Sequence, residues 1–288
     1  SLAQRRGTGH TYWYRVYYPV PGKQAETLVC KDGDDQALAE MRDRMASAGW
    51  VAKQVVALRK LGFQVADKAV ARVLVELHNR HTFEAGLTLV GTLGYMAWLN
   101  EYGAIAISAR TQDIDLARRQ RLKLAFPISF LATRQATELP FSAVPGLPAD
   151  AASTSVKLPG AQGLRVDLLA PGKPLGARVR VPELDWAAQA VPHYQYLLEK
   201  TEPAALLAGG HCVPVRLPQP ARLVWHKLYS STQRKGFREK AAKDRIQALT
   251  LAAVLADEEP GALEAAFADA PKEITDAVCL LHEVLDRA

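Results

Sequence analysis

Between His10 and Val29 aromatic and polar positions alternate, as in Tyr12-Trp13-Tyr14-Arg15-Val16-Tyr17-Tyr18. The run stops at Pro19-Val20-Pro21-Gly22 and resumes over Ala25 to Val29, which predicts a β-hairpin. The basic stretch before it, Ser1 to Thr8, reads as frayed chain. Asp34 to Leu61 carries a long helical pattern, with Asp34 or Asp35 as cap and Gly49 as a point where it could split. Val65 to His81 predicts a second helix with Ala69, Val73, Leu74 and Leu77 on one face. Thr88 to Val90 reads as a short strand and Leu93 to Glu101 as an uncharged, core-seeking helix, with Gly103 as its C-cap.

Strands are next expected over Thr111 to Leu116, Val156 to Leu158 and Gly163 to Leu169, with mixed helical character from Phe126 to Leu147 between the first two. His193 to Leu198 reads as a strand and Pro203 to Leu207 as a short helix. Gly209-Gly210 turns the chain into an edge strand, since Pro214 cannot donate to a ladder. After Pro218-Gln219-Pro220 the pattern is helical: Ala221 to Thr232, Phe237 to Ala256, Gly261 to Ala268 and Lys272 to Asp286. The expected class is α+β. It divides into an N-terminal hairpin-and-helix region (1–84), a core with a mixed sheet and flanking helices (85–216) and a C-terminal helical bundle (217–288).

Candidate chemistry lies in the core. Side chains two apart on a strand share a face, so Asp113 and Asp115 point one way while Ile114 and Leu116 pack on the other. Two adjacent carboxylates repel unless a cation lies between them, and oxygen donors of this kind suit Mg²⁺. Gly91-Thr92, at a strand-to-helix junction, offers backbone N–H groups and a hydroxyl to an anion.

Val90-Gly91-Thr92 followed by Thr111-Gln112-Asp113-Ile114-Asp115-Leu116 resembles the polymerase-β-like nucleotidyltransferase superfamily. The closer wording is similar to a bacterial branch distantly related to the abortive-infection nucleotidyltransferase toxins. The resemblance spans roughly Leu87 to Ala248, and Thr92 stands where many members have serine. It implies a third carboxylate on a later strand, and Asp167, 52 residues after Asp115, fits that position. It also implies a helical lysine reaching the nucleotide phosphates and an aspartate on the next helix; the matching positions are Lys227 and Asp244. Ser230, Ser231 and Arg234 are weaker candidates, and Asp244 could instead pair with Arg238 or Lys240.

The activity so implied is transfer of a nucleotide monophosphate from an NTP to an acceptor hydroxyl. Asp113, Asp115 and Asp167 would hold two Mg²⁺ ions, with Mn²⁺ as a compatible substitute. Gly91, Thr92 and Lys227 would grip the triphosphate. An RNA end, such as that of tRNA, is the expected acceptor. A non-catalytic RNA-binding or toxin–antitoxin module and a small-molecule (antibiotic) nucleotidyltransferase stand as alternatives.

Composition adjusts this picture slightly. A net charge of +6 and a pI near 9.2 favour a polyanionic partner such as RNA, though plain enzymes reach this value too. Arg118, Arg119, Arg121 and Lys123 read either as phosphate contacts or as a solvated charge run. The hairpin aromatics with Arg15 read either as a stacking platform for single strands or as packing against the following helices. His78 and His81 have a metal-compatible spacing but no third ligand nearby. Cys30, Cys212 and Cys279 are far apart and odd in number, as expected of reduced thiols in the cytoplasm. No apolar run approaches the roughly 18 residues of a membrane span. No signal peptide is visible, although the chain opens on Ser1 rather than Met.

Overall fold

The computed structural model describes the backbone of residues 1–20, 22–107, 111–146, 148 and 151–285. Pro21 of the expected hairpin turn and the ends of two expected segments, Leu147 and Asp286, lie outside the described residues. Two compact units are present, residues 1–57 and 58–288.

The first unit contains an antiparallel sheet, β1 (Leu2–Arg6), β2 (Thr11–Val20) and β3 (Lys23–Lys31), in that order, and most of helix α1 (Asp35–Lys60). The expected hairpin is β2–β3. The segment expected to fray is instead a third strand, because Leu2 to Arg6 pair along β2 from Arg15 to Thr11. Asp34 accepts a hydrogen bond from the Ala37 N–H at 3.1 Å and caps α1, which continues through Gly49 unbroken.

The second unit begins with α2 (Lys68–Asn79), whose Val70, Val73, Leu74 and Leu77 are buried. Then come β4 (Thr88–Leu89), α3 (Gly91–Glu101) and β5 (Asp113–Ala117). At the end of α3, Gly103 takes φ +63°, and the N–H groups of Gly103 and Ala104 bond back to Asn100 and Leu99. That is the paired C-terminal lock of a left-handed cap. Next are α4 (Phe130–Gln135), β6 (Ser142–Ala143), β7 (Ser155–Lys157), β8 (Arg165–Pro171), β9 (Arg178–Val181) and β10 (Trp186–Val191). The sheet runs β4-β5-β8-β10-β9, with β7 on the β8 edge opposite β5, and β6 beyond it. It is mixed: β5, β8 and β10 are parallel, whereas β4, β7 and β9 run against their neighbours. Leu89, Leu93, Leu99, Ile114, Leu116 and Leu168 form the sealed core between sheet and helices.

Two expectations are reversed. His193 to Leu198 contains one helical turn, α5 (Tyr194–Leu197), rather than a strand. The turn buries Tyr194 and Leu197, three apart, and the Tyr196 hydroxyl reaches the Ala266 carbonyl at 2.7 Å. Pro203 to Leu207 lies in a strand, β11 (Thr201–Ala208), not a helix, because β12 (His211–Pro218) pairs with it along its whole length. Gly209 (φ +53°) and Gly210 (φ +93°) form the two-residue turn between them, a backbone open to glycine. Helices α6 (Pro220–Gln233), α7 (Arg238–Glu258), α8 (Ala262–Ala268) and α9 (Lys272–Leu285) close the unit, as the helical pattern predicts. Among the described residues no helix is long and apolar enough to cross a membrane.

Candidate active site

Strand β5 alternates as its sequence requires. Ile114 and Leu116 are fully buried, and Asp113 and Asp115 occupy the other face, partly exposed. Parallel pairing sets Asp115 directly opposite Asp167 and Asp113 opposite Arg165. Neighbouring strands are about 4.8 Å apart, so the aspartates distant in sequence become lateral neighbours. The protein packed around the Asp115 carboxyl raises it to about 6, and repulsion from Asp167 and then Asp113 adds to the effect. Lys227 and Arg234 oppose that rise.

Gly91 opens α3 immediately beside this carboxylate. The Val90 N–H bonds to the Asp115 carbonyl at 2.9 Å. Gly91 has φ +66°, and a Cβ there would lie 2.0 Å from Asp115 Oδ2. Glycine is thus required twice, by the backbone and by the carboxylate. Thr92 follows in the first turn, buried. The start of a helix carries partial positive charge, which favours an anion at this corner.

Across from the strands, α6 and α7 bring Lys227 and Asp244 together. Lys227 Nζ donates to Gln247 Oε1 at 2.8 Å and Asp244 Oδ1 at 3.3 Å; Arg234 Nε donates to Asp244 Oδ2 at 2.6 Å. Asp244 therefore pairs with Lys227 and Arg234, not with Arg238 or Lys240. Lys227 is buried, and burial lowers its ammonium below the usual lysine range against the opposing pull of Asp244 and Asp115. Beneath them Tyr194 and His226 pack edge to face, ring centroids 5.0 Å apart. Burial holds the imidazole down to about 4, so it is neutral at physiological pH. Its contacts are the Pro192 carbonyl on Nε2 and the Ser230 hydroxyl on Nδ1, each at 3.4 Å.

A nucleotidyltransferase family profile matches residues 68–272. The chain belongs to the nucleotidyltransferase family. No curated protein matches it. Similar solved structures include the antibiotic-resistance factor ANT(2″)-Ia in solution, 13% identical over 76% of this chain and 93% of that one, TM-score 0.35. An antigenic nucleotidyltransferase-like protein from Paracoccidioides brasiliensis is 17% identical over 67% and 89%, TM-score 0.34. ANT(2″)-Ia in complex with adenylyl-2″-tobramycin is 14% identical over 66% and 97%, TM-score 0.30.

In this nucleotidyltransferase the oxygen donors near Asp115 are of the kind a hard divalent ion takes: Asp115 faces the Asp167 carboxylate and carries repulsion from Asp167 and Asp113, while Asp113 faces Arg165. Among the described residues no three acidic, histidine or cysteine side chains, Asp113, Asp115 and Asp167 included, are gathered closely enough to close around an ion. Asp167 Oδ1 is meanwhile engaged by Arg165 Nε at 2.8 Å and by the Ser155 hydroxyl.

The first two arginines of the basic run after β5 have acidic neighbours within the protein. Arg118 lies 3.2 Å from the buried Glu183, and Arg119 pairs with Glu199 at 3.7 Å. Ser231 donates to the Leu228 carbonyl within α6. His81 lies outside α2 and pairs with Glu84, so it forms no ligand pair with His78. The cysteines are free. Sequence reasoning missed Arg165, Ser155, Gln247, Tyr194 and His226. Arg165 alone carried a signal, since a residue two before Asp167 on a strand shares its face.

Proposed function

We propose that this nucleotidyltransferase moves a nucleotide monophosphate from an NTP to an acceptor hydroxyl at the Asp113–Asp115–Asp167 face, with divalent-ion assistance. The observation that carries the reading is the lateral pairing of Asp115 with Asp167 beside the glycine corner of α3. Asp113, Asp115 and Asp167 would hold Mg²⁺; once bound, it supplies Lewis-acid stabilisation of the charge developing on the phosphates. Asp167 takes the proton of the acceptor hydroxyl as its oxygen bonds to the α-phosphorus. The bond from that phosphorus to the bridging oxygen breaks, and pyrophosphate departs. The N–H groups opening α3, the Thr92 hydroxyl and the field of the Lys227 ammonium hold the triphosphate and neutralise the leaving group. Asp244 and Gln247 orient Lys227. Cytoplasm supplies NTP, Mg²⁺ and RNA together.

An RNA end is the acceptor this reading favours, on the chain's net charge of +6. A small cationic acceptor, such as an antibiotic, is favoured by one feature: a cleft of about 400 Å³ lined in part by Glu199 and Asp269. Both acids are already paired, with Arg222, Arg119 and Lys200, and Lys173 also lines the cleft, so its free negative charge is small. The test incubates the protein with each labelled NTP and Mg²⁺, with total RNA in one arm and an aminoglycoside in the other. Labelled RNA from wild type and none from Asp113→Ala is the expected result. Equal labelling by both proteins refutes the mechanism, and tight RNA binding with no NTP binding points to the non-catalytic module.

A further inference from the structure

Asp167 is held in a way the reaction alone does not require. Three strands lie side by side here, with Ser155 of β7 and Asp115 of β5 flanking Asp167 on its two edges. Arg165 starts level with Asp113 but folds along its own strand. Its Nε donates to Asp167 Oδ1 at 2.8 Å and its Nη2 to Ser155 Oγ at 2.7 Å, while Ser155 donates to the same Oδ1. Among the described residues Arg165 is the one cation hydrogen-bonded to any of the three carboxylates. Lys227 and Arg234 face them but bond to Asp244.

The bonds converge on Oδ1, so one of the two oxygens Asp167 could offer a cation is already taken by a guanidinium and a hydroxyl. The guanidinium is also free to leave: its side chain is 39% exposed, against 16% for Asp167. An arginine fork matches phosphate as well as carboxylate.

We propose that Arg165 is a displaceable counter-ion: it occupies Asp167 in the free protein and transfers to the triphosphate when nucleotide and metal arrive together. This rests on the metal-assisted reading above and deepens it. The consequence is coupling. Metal alone must compete with a resident cation, whereas nucleotide gives that cation another anion and releases Asp167 to the metal.

The experiment is a Mn²⁺ titration, read by the electron paramagnetic resonance of free Mn²⁺, with and without a non-hydrolysable ATP analogue. Wild type is expected to bind Mn²⁺ weakly alone and much more tightly with the analogue. Arg165→Gln is expected to bind Mn²⁺ at least about tenfold tighter than wild type without nucleotide, and to gain less from it, because a unit charge beside the site is gone. Arg165→Lys keeps the charge and is expected to stay near wild type. Ser155→Ala loosens the same clamp and is expected to tighten Mn²⁺ about twofold to threefold; it carries the test should Arg165→Gln not fold. Unchanged or weaker Mn²⁺ binding in Arg165→Gln, or in Ser155→Ala where that variant stands in, overturns the proposal. Asp113→Ala separates the two levels. If it abolishes Mn²⁺ binding while Arg165→Gln changes nothing, only the counter-ion role fails; if it binds Mn²⁺ like wild type, the metal reading itself fails.

Discussion

Replacing Gly91 by alanine isolates the glycine corner, because Gly103 provides an internal control. Both have left-handed backbones, φ +66° and +63°, so either substitution carries the same conformational penalty of about 1–2 kcal/mol. At Gly103 a new Cβ meets nothing within 4 Å. At Gly91 it would lie 2.0 Å from Asp115 Oδ2 and 3.0 Å from its Cγ. A comfortable carbon contact needs roughly 3.5 Å, so the carboxylate must retreat by about 1 Å or more. The strand cannot retreat with it, since Ile114 and Leu116 are sealed in the core. The side chain therefore leaves its rotamer, adding about 1 kcal/mol. Thermal melts should place Gly103→Ala about 3–5 °C below wild type and Gly91→Ala several degrees lower again. Displacement of a group that positions the reactants by this distance is expected to cost about 100-fold in turnover, close to 3 kcal/mol of barrier. Gly103→Ala should keep wild-type turnover in the labelled-NTP assay. Equal turnover in the two variants, or coincident melting curves, would refute the argument that Gly91 makes room for Asp115.

The raised Asp115 carboxyl works against folding. Its penalty is absent below the unfolded value of 3.8, grows up to about 6, and is constant above that, at most about 3 kcal/mol. Metal-free Asp115→Asn should melt above wild type at pH 8 and converge with it near pH 4; a variant less stable at pH 8 contradicts this. His226 acts in the opposite direction: its contribution is complete above 6.5 and is lost as pH falls through about 4, again about 3 kcal/mol. Urea unfolding of His226→Gln should show a shallower acid loss between pH 6.5 and 4 than wild type, and an equal slope would remove His226 as the cause. Arg222 is almost fully buried and bonds to Tyr196 O, Glu199 Oε2 and Asp269 Oδ2 at 2.8–2.9 Å. Arg222→Ala should cost about 2–4 kcal/mol by urea unfolding, from the cavity it leaves and the Tyr196 carbonyl it unpairs, and a loss under 1 kcal/mol would show that these bonds are replaced by water.

The carboxylate face was legible because it depends on two local rules. Asp-x-Asp on a strand shares a face, and Val166 and Leu168 alternate around Asp167 in the same way. Burial of Ile114, Leu116, Val166 and Leu168 bears that out. The helical end of the chain was equally readable, since its periodicity is long and regular. The reversals lie where a partner decides. Glu202 to Leu207 has helical composition, yet a Gly-Gly turn delivers Cys212 to Leu217 against it and the strand results. The sequence carried no reading for β9 and β10, whose strands complete the sheet beyond β8. Nor could spacing reveal the Lys227–Asp244–Arg234 network as such, because α6 and α7 must first dock.

The pairing of β5 with β8 also makes the carboxylate face a product of long-range closure. Parallel neighbours cannot be joined by a tight turn, and here 52 residues separate Asp115 from Asp167. Helices and the β11–β12 hairpin close over short loops, whereas this ladder, like the contacts of β4 with β12 and of α3 with α7, must bring together segments far apart in the chain. A polypeptide halted during synthesis at residue 160 has Asp113 and Asp115 but no strand to seat them against.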